Sequence, residues 1–181
     1  MTKTRDAQLV ARVLLDGDRE AFGELVRIYQ SPLRNFLRKL ACGDAALADD
    51  LAQESFVQAF RRLGSLRQPE SFKGWLYRIA YRSFLSHKRA ARPMADEEEA
   101  DRADSNGYSD QQALLQHDLE KAMAVLKPEE RAAIALCFGK GLSHPEAAEV
   151  LGVPLGTVKT NILRGKEKLR PRLLAWKEKV A

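Results

Sequence analysis

The sequence predicts an all-α protein built as two small helical domains joined by a flexible acidic linker. Three observations carry this. Apolar residues recur at spacings of three and four along most of the 181 residues, and no stretch sustains the alternation that a half-buried strand needs. The segment RPMADEEEADRADSNGYSDQQ lacks that periodicity and is interrupted by Pro, Gly, Ser and Asn, which predicts a linker. Charge is also segregated. Residues 53–92 hold nine Lys or Arg against Glu54 and Glu70, residues 93–110 hold seven Asp or Glu against Arg102, and residues 157–181 hold eight basic residues against Glu167 and Glu178. Two basic blocks separated by an acidic one suit two polyanion-facing surfaces joined by a segment that avoids them. The domains are therefore drawn at 1–92 and 113–181, with the linker at 93–112.

Each element follows from a local pattern. Asp18 after Gly17 is placed to N-cap a helix through REAFGELVRIYQ, with Phe22, Leu25, Val26 and Tyr29 on one stripe. LADDLAQESFVQAFRRL, residues 47–63, reads as one helix. At about 100° per residue its core half holds Leu51, Ala52, Ser55, Phe56, Ala59, Phe60 and Leu63. The opposite arc carries Asp50, Gln53, Glu54, Val57 and Arg61. That arc suits either a solvated face complementing the helix dipole or a docking face for a basic partner.

Residues 71–92, SFKGWLYRIAYRSFLSHKRAAR, form the next helix, with Phe72, Trp75, Leu76, Ile79 and Ser83 as a core stripe. A neighbouring arc holds Lys73, Tyr77, Tyr81, Phe84 and Lys88, and the rest carries Arg78, Arg82 and Arg89. Cations interleaved with rings suit single-stranded nucleic acid, where cations hold phosphates and rings stack on unpaired bases. The same tyrosines could equally rim the core with their hydroxyls in water.

In the C-terminal domain, about 70 residues and so small for independent stability, the helices are expected to pack on Leu126, Ile134, Leu136, Leu151, Val158 and Ile162. Ser143 and Glu146 have capping-box spacing ahead of a helix ending at Leu151. Gly152 stops it, Val153 and Pro154 make the turn, and a basic helix starts near Thr157. Ala148 is small enough to let the two helices cross, with Val158 and Ile162 filling the crossing. This is a helix-turn-helix pattern, whose second helix enters a major groove.

Several classes are not suggested. No run approaches the roughly 18 apolar residues of a membrane helix, and charges interrupt the N-terminus where a signal peptide would be apolar. A cytoplasmic protein without membrane insertion is expected. Cys42 and Cys137 stand apart from each other and from the three histidines, so the expectation is two reduced, buried cysteines with no metal site. No nucleophile with a base, carboxylate pair or phosphate-cradling Gly loop is visible, hence no catalytic residue, cofactor or small-molecule substrate is assigned.

With these motifs in place, the chain resembles a bacterial RNA polymerase sigma factor of the extracytoplasmic-function group within the sigma-70 family. AFGELVRIYQSPLRNFLRKL resembles the start of sigma region 2, ADDLAQESFVQAF its polymerase-binding helix and FKGWLYRIAYR its promoter-melting helix. The stretch from LKPEERAAIALCFGKG through LRGKEKLR is similar to sigma region 4.

The resemblance implies a factor that binds core RNA polymerase, directs it to particular promoters and helps open them. Asp49, Asp50, Gln53, Glu54, Val57 and Arg61 would dock on the clamp helices of the largest subunit. Minus-10 recognition and melting would involve Arg67, Ser71, Phe72, Lys73, Trp75, Tyr77, Arg78, Tyr81, Arg82, Lys88 and Arg89. Minus-35 reading would involve Thr157, Lys159, Thr160, Asn161, Leu163, Arg164 and Lys168. The implied partners are core polymerase, including the flap of its second-largest subunit, promoter DNA and an anti-sigma factor. The chain departs from the family pattern at Arg82 and Ser86, where many relatives have Asn and Asp, at His144 to Ala147 in place of Tyr-Glu-Glu-Ile, and at Asn161. The alternative is a conventional helix-turn-helix regulator acting as a dimer on duplex operators; a pure interaction module would leave the basic helix unused.

Overall fold

The computed structural model describes residues 2–91 and 119–180, and among these every regular element is helical. The expected linker lies outside the described residues. Four helices come first: α1 (Thr2–Asp16), α2 (Arg19–Leu40), α3 (Ala45–Arg62) and α4 (Phe72–Ala91). Two 3₁₀ turns, Leu63–Ser65 and Pro69–Ser71, join α3 to α4. After a helical stretch at 119–124 come α5 (Pro128–Ile134), which runs into a π-helical turn at Ala135–Gly139, then α6 (His144–Leu151) and α7 (Leu155–Val180). The described residues form two compact units, one of 2–37 with 48–91 and one of 38–47 with 119–180.

In the first unit Asp18 caps α2 as its position implies, accepting a hydrogen bond from Ala21 N at 3.1 Å. Asp44, in the stretch that belongs to the second unit, likewise caps the start of α3 through Leu47 N at 3.0 Å. The core combines Leu9 and Val10 of α1, the Phe22, Leu25, Tyr29, Leu33 and Phe36 stripe of α2, and Leu51, Ala52 and Ala59 of α3. α4 adds Phe72, Leu76, Tyr77, Ile79 and Ala80. Its rings lock in pairs: Phe36 meets Tyr77 edge-on at 5.1 Å between centroids, and Tyr29 meets Phe72 at 5.6 Å. Such pairs add to the burial of the rings themselves.

In the second unit the expected positions Leu126, Ile134, Leu136, Leu151, Val158 and Ile162 are all buried, with Ala122, Met123 and Leu169 completing the centre. Arg131 is buried as well. Its guanidinium donates to the carbonyls of Met123 at 3.0 Å, Ala124 at 3.2 Å and Leu126 at 2.9 Å. It thereby satisfies carbonyls at the end of the 119–124 helix that have no partner within that helix.

The expectation of two buried cysteines is corrected. Cys42 is exposed and sits at φ 53°, and Cys137 is half-buried, with burial raising its pKa. Cys42 lies in the turn after α2, where its Sγ accepts from Arg131 Nη1 at 2.6 Å instead of entering the apolar core. In α6 Ala147 is fully buried and Ala148 half-buried.

Candidate nucleic-acid interface

Three surfaces hold the residues singled out from the sequence. On α3, Asp49, Asp50, Gln53, Glu54, Val57 and Arg61 are all exposed, while Leu51, Ala52, Ser55 and Ala59 point into the core. Ser55 is tolerated there because its hydroxyl donates to the Leu51 carbonyl at 2.6 Å. The acids are not uniformly free: Asp49 pairs with Arg34 at 2.5 Å, and Glu54 accepts from Gln58 Nε2 at 2.6 Å.

Phe60, expected in the core, is instead 44% exposed, the same as Val57, with one edge against Phe22 at 4.9 Å. It lies about 60° from Val57 on the helical wheel, so it borders both arcs. That border position is the signal that would have found it. The α3 surface is therefore an acidic and amide-rich strip with an apolar patch of Val57 and Phe60 at its edge, a combination suited to a basic protein partner.

The α4 surface differs more from the expectation. Arg67, Ser71, Arg82, Lys88 and Arg89 are exposed, and Lys73, Trp75 and Arg78 are half-buried. Phe72, Tyr77 and Tyr81 are buried, as is Phe84. Phe72 belongs to the core stripe as its spacing implies; Tyr77, Tyr81 and Phe84, open between stacking and rimming the core, are buried too, Tyr77 against Phe36 of α2, so the core arc is wider than one stripe. The Tyr77 hydroxyl is enclosed without a hydrogen-bond partner, and burial drives its pKa far up. What faces outward is a band of cations with one large ring, Trp75, beside them. Such a band is of the kind that suits phosphates.

The third surface is built by the turn. Ser143 Oγ accepts from Glu146 N at 3.3 Å while Glu146 Oε2 accepts from Ser143 N at 2.8 Å, the reciprocal pair that starts α6. Gly152, at φ 69°, ends it in the left-handed region that Gly adopts without strain. Gly152 N and Val153 N both donate to the Ala148 carbonyl, at 2.9 and 3.2 Å. Pro154 then opens α7, with its carbonyl accepting from Thr157 N at 2.9 Å.

Val158 and Ile162 are buried, which turns Thr157, Lys159, Thr160, Leu163 and Arg164 outward and leaves Asn161 half-buried. Leu163 is 59% exposed. The Thr160 hydroxyl donates back to the Gly156 carbonyl at 3.0 Å and remains exposed. Lys168 differs from the rest: it is half-buried, and its ammonium lies 2.7 Å from Glu130 Oε2. Lys166 stands over the Phe138 ring at 4.5 Å, a cation–π contact.

Comparisons with known proteins agree with this arrangement. The family model "Sigma-70 region 2" matches residues 25–93 and "Sigma-70, region 4" matches residues 116–169. RNA polymerase sigma-H factor of Pseudomonas aeruginosa is 34% identical over 183 residues, covering 93% of this chain and 94% of its own. This chain belongs to the extracytoplasmic-function group of sigma-70 factors. ECF RNA polymerase sigma factor SigW of Bacillus subtilis is 32% identical over 171 residues, covering 87% and 91% of the two chains. Among solved structures, the sigma factor RpoE of Bartonella quintana, crystallised with the anti-sigma factor NepR, matches with a TM-score of 0.70 at 26% identity, covering 84% of this chain and 96% of its own.

As a sigma factor the protein binds core RNA polymerase and promoter DNA and directs initiation; the dimeric operator regulator is set aside. Among the described residues no helix is long and apolar enough to cross a membrane, and no group of three His, Cys, Asp or Glu is placed to hold a metal ion.

Proposed function

We propose that residues 1–92 engage core polymerase and open the minus-10 region, that residues 113–181 read the minus-35 element, and that 93–112 connects them. The observation that carries this is the turn from Ser143 to Thr157, which launches α7 with Val158 and Ile162 inward and Lys159, Thr160, Leu163 and Arg164 outward. A helix presented this way offers a cation for guanine and phosphate, a hydroxyl, and apolar groups for thymine methyls. On α3, Asp50, Gln53 and Glu54, flanked by Val57 and Phe60, form the polymerase-docking strip. On α4, Arg78, Arg82, Lys88 and Arg89 hold the separated strands by phosphate, and Trp75 supplies the accessible ring.

In this reading the protein is a non-enzymatic, cytoplasmic initiation factor: binding energy opens the duplex and the polymerase performs catalysis. An anti-sigma partner is supported by the relative of known structure, which was crystallised with one. The test is reconstituted transcription. The full chain added to core enzyme with a genomic promoter library should yield transcripts from a defined promoter subset. Absence of any transcript, together with tight operator binding as a dimer, would refute the reading.

A further inference from the structure

We infer that Lys168 is a positioning residue for promoter reading: paired with Glu130, it fixes the rotation of α7 on α5 and makes no phosphate contact of its own. This rests on the promoter-reading role of α7 proposed above.

Glu130 sits in the first turn of α5 and is 3% exposed. Its carboxylate accepts from Lys127 N at 3.0 Å, which starts α5, and from the Lys168 ammonium at 2.9 Å to Oε1 and 2.7 Å to Oε2. A single buried carboxylate thus caps one helix and grips another.

One turn earlier α7 presents Gly165 to α5. A Cβ added at Gly165 would lie 2.5 Å from Ile134 Cδ1 and 3.6 Å from Glu130 Cβ. This contact sets the separation of the helices. With no side chain at 165 to interlock, it does little to stop α7 rolling about its axis. Leu169, buried against Met123 and Ile134, resists rolling from one side together with the inward Val158 and Ile162, and the Lys168–Glu130 pair resists it from the other.

Rotation matters because base reading is short-ranged. Side chains project to about 5–6 Å from a helix axis, so a roll of about 20° displaces their ends by about 2 Å. That is enough to break hydrogen bonds to base edges, which fail steeply beyond normal length. Lys168 lies about 40° from Arg164 on the wheel, so a roll that breaks the ion pair carries Arg164 with it. The alternative, Lys168 swinging out to a phosphate, would leave the Glu130 carboxylate buried without its cation. An unpaired buried charge is the costlier state, and the lysine stays where it is.

The test uses the full chain in holoenzyme with promoter DNA carrying either the cognate or a scrambled upstream element, measured across salt concentrations. Lys168→Met and Glu130→Gln should each narrow the discrimination between the two DNAs about fivefold or more. The double variant should be no worse than either alone, and the salt slope should match wild type in all three. Lys168→Arg keeps the pair and should restore discrimination. Glu130→Gln retains an acceptor for Lys127 N, so α5 keeps its cap and the measurement survives if Lys168→Met folds poorly.

A slope lowered by about 0.9 in Lys168→Met would make the lysine a phosphate contact and overturn the inference. Full discrimination with only a lower melting temperature would overturn it too, making the pair merely structural. Arg164→Ala separates the two levels: it should lower both slope and discrimination, and if it changes neither, the promoter-reading role of α7 itself fails.

Discussion

Asp18 and Arg12 form a two-pronged pair: Arg12 Nη2 donates to Asp18 Oδ2 at 2.6 Å and Nε donates to the same oxygen at 3.0 Å, while Asp18 Oδ1 accepts from Ala21 N at 3.1 Å. The Ala21 N–H first, and the Arg12 guanidinium next, hold the carboxyl below its usual range. A depressed carboxyl contributes stability above its unfolded pKa, about 3.9, and loses it as pH falls through the lower folded value. Thermal unfolding followed by circular dichroism should therefore show Asp18→Ala melting earlier at pH 7, with the difference from wild type shrinking below pH 4.

Tyr29 and Tyr77 should respond oppositely to loss of their hydroxyls. Tyr29 donates to the buried Asp6 carboxylate, whereas the Tyr77 hydroxyl is enclosed without a partner. Removing one member of a buried hydrogen bond costs about 1–3 kcal/mol, and removing an orphan hydroxyl costs nothing of the kind. Tyr29→Phe should destabilise the first unit by that amount in urea titrations. Tyr77→Phe should be neutral or stabilising.

Replacing Asp50, Gln53 and Glu54 together with Ala should weaken core-polymerase binding at least tenfold, the loss of about 1.4 kcal/mol or more. All three are exposed, so helicity should not change. Fluorescence anisotropy with labelled chain gives the affinity; wild-type binding would remove the docking strip from α3.

Ser143→Ala should cost about 1 kcal/mol by removing the α6 N-cap. The Glu146 carboxylate would keep its bond to the backbone N of position 143, so the unit should fold. Its melting temperature should drop while the salt slope of promoter binding stays constant, since no cation has been removed.

Glu130 should mark the acid limit of the second unit. Burial raises its pKa, but the Lys168 ammonium and Lys127 N together outweigh that and hold it low. The stabilisation is complete above the unfolded pKa of about 4.3 and disappears as pH falls through the folded value. Glu130→Gln should flatten the acid limb of the stability curve, measured by urea unfolding between pH 3 and 6.

Much of this was legible in the sequence because it is local. The Ser143–Glu146 spacing, Gly152 and Pro154 announce the turn, and the Asp18 cap follows from its place before REAF. Val158 and Ile162 are buried as their period implies. The misjudged positions depend on neighbours distant in sequence. Tyr77 is buried because Phe36 of α2 meets its ring, and Phe60 is left half outside because Phe22 covers only one edge. Lys168 resembles any other basic residue of α7 until Glu130, 38 residues earlier, is seen beneath it. A wheel drawn for one helix cannot say how many helices will cover it.

Gly165 and Ile134 occupy what is effectively one space. Drift at either position is therefore not independent. A methyl gained at 165 requires the Ile134 Cδ1 methyl, the far end of that side chain, to swing aside or be lost, for instance in Val, and a bulkier residue at 134 makes that harder. Descendants of this chain should therefore show changes at 165 more often together with a smaller residue at 134 than alone.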